Sequence, residues 1–111
     1  MDFAVRWRQA PGCLVLDVSG ELDVATAPVL VAAELAALDV CRHVVLDLGD
    51  LAFIDATGLG ALLAGHRYAT DRGAVLELTA VPAPVRRLLA ITNLAGILTA
   101  AVPAPRCGQH H

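Results

Sequence analysis

One threonine is placed among carboxylates at a point where a helix should begin. Asp55-Ala56-Thr57-Gly58 stands directly before Leu59, Leu62, Leu63 and His66, which recur at helical spacing. A helix start carries unpaired N–H groups and the positive end of the macrodipole, so a phosphate on Thr57 is electrostatically favoured there. The simpler role for Thr57 is an N-cap whose hydroxyl accepts a backbone N–H, worth about 1 kcal/mol. The two roles are compatible. Asp55 can orient Thr57 toward an incoming phosphoryl group or close an Asx turn.

Other chemistries find less support. Gly58 and Gly60 begin a G-x-G-x-x-G pattern, but Leu63 occupies its third glycine position. No G-x-x-x-x-G-K-S/T loop exists, and the chain has no lysine. Ser19 is the only serine and G-x-S-x-G is absent, which excludes a nucleophile elbow. Asp47, Asp50, Asp55 and His66 do not converge on a metal: Asp47 belongs to a strand, and His66 lies roughly 13 Å beyond Thr57 at about 1.5 Å per helical residue. His66 is read as a half-buried helical residue. No catalytic constellation, metal site or cofactor is expected, and the chain is read as a non-enzyme.

The elements that must hold Thr57 follow from periodicity. Phe3, Val5 and Trp7 alternate with Ala4, Arg6 and Arg8, then Pro11-Gly12 makes a turn, and Leu14, Leu16 and Val18 alternate again. So short a turn requires an antiparallel hairpin. Gly20-Glu21-Leu22-Asp23 ends the second strand. Thr26 is expected as an N-cap, with Pro28 in the first turn and Leu30, Ala33, Ala37 and Leu38 on one helical face; Asp39 leads out. Val44, Val45, Leu46 and Leu48 form a buried strand around Asp47. Gly49-Asp50 predicts a turn, followed by a second apolar group, Leu51, Phe53 and Ile54.

After the Thr57 helix, Thr70-Asp71-Arg72-Gly73 is a stop signal and Val75, Leu76 and Leu78 make a strand. Pro82 and Pro84 introduce a helix with Val85, Leu88, Leu89 and Ile91 inward and Arg86 and Arg87 outward. Asn93 to Gly96 is expected to close it, with an edge strand over 97–102 and an unstructured tail at 103–111. The predicted order is β-β-α-β-α-β-α-β. This is an α/β fold with a small mixed sheet: an N-terminal hairpin, then β-α units, with helices mainly on one face.

Bulk properties agree with that size. The 111 residues fit one domain, which can bury roughly two thirds of its unfolded surface. Net charge is −3 and all eight basic residues are scattered arginines, which disfavours nucleic acid as a partner. Cys13 and Cys41 read as small core residues, and Cys107 as an exposed one. Met1 to Ala10 is charged and alternating, unlike a signal peptide. The uncharged run 88–105 is broken by Asn93, Gly96 and Pro103, so no membrane span is expected. The expected localisation is cytoplasmic.

The pair DLGDLAFIDATGLGALL and the upstream Gly20-Glu21-Leu22-Asp23 resembles the STAS domain family of anti-sigma factor antagonists (anti-anti-sigma factors). The similarity extends from about Val5 to Leu98, and 1–102 is expected to be the domain. The family usually adds a helix after the last strand. Pro103, Pro105 and Gly108 interrupt one here. Its absence would expose apolar surface for a partner or a second copy, so a monomer or weak homodimer is expected.

The resemblance implies a partner-switching module in transcription regulation. The unmodified form docks on an anti-sigma factor, a serine/threonine kinase that itself binds ATP, and frees the sigma factor. The kinase then phosphorylates the hydroxyl at the helix start, and a phosphatase restores it. Thr57 matches the acceptor, Asp55 the preceding motif aspartate and Asp23 the upstream-loop aspartate. Leu22, Ile54 and Leu59 are expected at the apolar centre of the contact, ringed by Glu21, Asp23 and Asp55, with a bulky residue at Gly58 expected to block docking without disturbing the fold. The alternative is a scaffold subunit of a signalling complex, or of a lipid-transport complex with an ABC ATPase, without phosphorylation.

Overall fold

The alternation at the N-terminus produces an antiparallel hairpin. β1 (Ala4–Ala10) pairs with β2 (Cys13–Leu22), with Ala10 opposite Cys13 and Ala4 opposite Ser19. Gly12 turns the chain at φ +79°, a conformation open to glycine at little cost. In this computed structural model residues 2–92 are described. The chain continues through α1 (Ala27–Val40), β3 (His43–Ile54), α2 (Ala56–Asp71), β4 (Val75–Thr79) and α3 (Ala83–Ile91). The sheet order is β1-β2-β3-β4; β2, β3 and β4 are parallel, with α1 and α2 as the crossovers. The expected closure over 93–96, the strand over 97–102 and the tail at 103–111, Cys107 included, lie outside the described residues.

Strand alternation sorts the sheet into two faces. Leu14, Leu16 and Val18 of β2, Val44, Leu46 and Leu48 of β3, and Leu76 and Leu78 of β4 share one core with buried residues of all three helices. Cys13, Val15 and Val45 form a small cluster on the opposite face. On that face the Arg8 guanidinium donates to both carboxylate oxygens of Asp17, at 2.9 and 3.0 Å. Cys41 is half-buried, and its thiol meets the His43 carbonyl at 3.3 Å.

The turn expected at Gly49-Asp50 is not formed. β3 runs through it as one strand, and the irregular spacing is absorbed by two bulges. Asp17 pairs with Asp47 and Leu22 with Ile54, so five steps along β2 match seven along β3. The Asp47 carboxylate supports the bend by accepting the Gly49 N–H at 3.0 Å. Each extra residue resets the alternation, so Leu48, Leu51 and Ile54 all face the core while Phe53 is 48% exposed. At the other end of the chain, Ile91, expected inward, is 81% exposed in the last turn of α3; Val85 and Leu89 make the buried contact.

Candidate functional site

The two sequence motifs meet at the carboxyl ends of β2 and β3. Leu22 pairs with Ile54, and the Asp55 N–H donates to the Leu22 carbonyl at 3.2 Å. Gly20 makes this junction possible. It has φ +95°, and a Cβ there would stand 2.5 Å from the Asp2 carbonyl oxygen. Asp23 then turns the chain into α1: its Oδ1 accepts the N–H groups of Ala25 and Thr26 at 3.0 and 3.2 Å.

Thr26 occupies the residue before α1, but its hydroxyl does not cap the helix. It faces back into the loop, donating to the Glu21 carbonyl at 2.7 Å and accepting the Asp23 N–H at 2.9 Å. The upstream motif is thus a self-braced turn, with Glu21 exposed and Asp23 half-buried.

At α2 the N-cap is Asp55, and the expectation that Thr57 caps the helix is corrected. Asp55 Oδ1 accepts the Gly58 N–H at 2.9 Å, and the Asp55 carbonyl accepts the Leu59 N–H at 3.0 Å. Thr57 therefore lies inside the first turn, one residue after Ala56, and its side chain is exposed. Asp55 engages the Gly58 amide, while the amides of Ala56 and Thr57 belong to the helix start that lacks intrahelical acceptors. The Thr57 side chain therefore stands at the positive end of the α2 dipole, where negative charge is favoured.

The expected apolar centre of a contact also needs correction. Leu22, Ile54 and Leu59 are all buried: their side chains pack into the core and are closed to a partner in this conformation. Gly58 is buried with them. A Cβ at Gly58 would stand 2.7 Å from both Leu22 Cγ and the Leu22 carbonyl oxygen, and 2.9 Å from Ile54 Cγ1. Gly58 is therefore where α2 sits down on the strand ends, and a bulky residue there disrupts packing rather than an outer surface.

The apolar surface beside Thr57 comes from residues that periodicity did not single out. An open groove of about 570 Å³ lies between α1 and α2, with Val24, Pro28 and Val31 on one wall and Thr57, Gly60 and Ala61 on the other. Val24 is 71% exposed. Gly60 is open, with no atom within 4 Å of a Cβ placed there. Gly60, Ala61 and Ala64 are small, as closely approaching helices require, but their order in the chain does not say which of them stays open.

A family model described as "Mlab, STAS domain" matches residues 5–99. The chain belongs to the STAS family. Its relatives include the anti-sigma F factor antagonist of Paenibacillus polymyxa, 31% identical over 100 residues that cover 88% of this chain and 86% of that protein. The anti-sigma-B factor antagonist of Bacillus subtilis (strain 168) is 30% identical over 104 residues, covering 88% and 90%. Among solved structures, an anti-sigma factor antagonist from Mycobacterium paratuberculosis matches with a TM-score of 0.78 and 28% identity, over 87% of this chain and 83% of that one. The mixed sheet with its one-sided helices is the STAS arrangement. Among the described residues of this STAS domain, no helix is long and apolar enough to cross a membrane.

Proposed function

We propose that this STAS domain is an anti-sigma factor antagonist whose association is ended by phosphorylation of Thr57. The observation that carries the reading is the placement of Thr57: an exposed residue in the first turn of α2, at the positive end of the helix dipole and on the wall of an apolar groove. The names of its relatives supply the class of partner. The unmodified chain binds an anti-sigma factor kinase across the groove mouth, with Glu21, Asp23 and Asp55 as the charged rim. ATP and magnesium belong to the kinase, and a phosphatase resets the switch. The chain itself performs no catalysis, and it works in the cytoplasm.

A charge difference is sufficient for such a switch. Phosphate adds about −1.5 to −2 charges. At an effective dielectric near 20, one unit pair about 6 Å apart is worth roughly 3 kcal/mol, or roughly a hundredfold in affinity. The α2 dipole stabilises the phosphate in free and bound states alike, so it largely cancels, and the partner's own charges decide the outcome.

The alternative that the STAS resemblance implies is a subunit of a lipid-transport complex that pairs with an ABC ATPase and leaves Thr57 unmodified. One experiment separates the two. The tagged chain is captured from lysate of its own organism with and without ATP, the bound protein is identified, and the phosphorylation site is located by mass spectrometry. A kinase that leaves in ATP, with phosphate on Thr57, supports the switch. An ABC ATPase held regardless of ATP, with Thr57 unmodified, overturns it.

A further inference from the structure

Among the described residues, Glu34 is the one charged side chain in an otherwise apolar core. It lies in α1, is 0% exposed, and neither carboxylate oxygen has a hydrogen-bond partner among the described residues. Its carboxyl group rests against Gly65 of α2. A Cβ at Gly65 would stand 2.6 Å from Glu34 Oε2 and 2.8 Å from Oε1, so glycine is what leaves room for the acid. Burial pushes the Glu34 carboxyl well above the usual carboxylate range.

Among the described residues no neighbouring charge relieves it. The core residues of β2, β3, β4 and α3 are all apolar. On α2 the titratable side chains are His66, Arg67, Tyr68 and Asp71, and on α1 itself Asp39; Tyr68 and Arg72 are both engaged with Asp39, at 2.7 and 3.0 Å. A charged Glu34 can therefore be hydrated only if the two helices part.

We propose that Glu34 is a proton-operated latch between α1 and α2: the uncharged acid seated on Gly65 permits the helices to stay packed, and loss of its proton drives α1 away. The same two helices wall the groove that Thr57 lines, so the latch sets the width of that groove. The inference stands on the helix interface and does not rest on phosphorylation of Thr57.

The linkage has a definite sign. The closed form holds its proton to higher pH than the open form does, so closure is strongest below the ordinary glutamate range. It weakens as pH rises toward the value at which the buried acid ionises. Hydrogen exchange of the whole chain, measured from pH 5 to 8 and corrected for intrinsic base catalysis, tests this in wild type, Glu34→Gln and Glu34→Leu. In wild type, exchange of α1 and α2 amides should rise by up to about tenfold per pH unit across that interval, while the amides of β2 and β3 stay protected. Both variants should give flat profiles, because they remove only the Glu34 carboxyl and keep every other side chain. Equal profiles in wild type and variants, or a rise shared equally by sheet and helices, overturn the latch.

Discussion

Asp55 Oδ1 and the Gly58 amide are joined at 2.9 Å across Thr57, so the residue that caps α2 is two positions before the hydroxyl that faces solvent. Capping and presentation are thereby divided between two side chains. Thr57 is exposed and does not cap α2, because Asp55 does so.

That division predicts opposite effects on stability. Asp55→Ala should cost about 1 kcal/mol and lower the melting temperature by roughly 4–8 °C, whereas Thr57→Ala should change it little. Thermal unfolding followed by circular dichroism distinguishes them. Equal losses from both variants would return the capping role to Thr57.

For the switch, Thr57→Asp should weaken binding to the captured anti-sigma factor by up to roughly a hundredfold at low salt, less at high salt. Thr57→Ala should bind like wild type yet stay bound in ATP. Isothermal titration calorimetry at two ionic strengths reads both effects. Indistinguishable affinities for the Asp and Ala variants count against control by charge.

The glycines of α2 separate steric blocking from misfolding. Gly60→Arg adds a long side chain where nothing lies within 4 Å, so it should fold, with up to about 1 kcal/mol gained in helix propensity, and fail to bind. Gly58→Ala drives a methyl into Leu22 and Ile54 and should destabilise by about 1–3 kcal/mol. Chemical denaturation beside a binding assay gives the comparison. Normal binding by a well-folded Gly60→Arg protein removes the groove from the interface.

Glu34 and Gly65 should be energetically coupled. Gly65→Ala alone pushes the buried carboxyl out of its seat, whereas in a Glu34→Ala background the added methyl fills vacated space. A double-mutant cycle by urea unfolding should therefore show non-additivity of about 0.5–3 kcal/mol, the double variant being more stable than the sum predicts. Additive effects would place the two groups out of contact.

Much of this was present in the order of residue types. The hairpin, the two crossover helices, the stop at Thr70 to Gly73 and the one-sided sheet follow from local periodicity and turn chemistry, which act over a few residues. The hydroxyl at a helix start followed from Asp55, Thr57 and the apolar spacing beyond them, and the STAS motifs singled out the same residues. Tertiary structure decided what depends on contacts distant in sequence. Bulges against β2 turned the Gly49-Asp50 break into continuous strand, because an extra residue and a turn both interrupt alternation alike. Packing of α2 on the strand ends buried Leu22, Ile54, Gly58 and Leu59, which a motif marks without saying which way they face. The close approach of α1 to α2 enclosed Glu34 and left Gly60 and Val24 open. Burial is a property of the pair of surfaces that meet, and one strand or helix carries only half of that information.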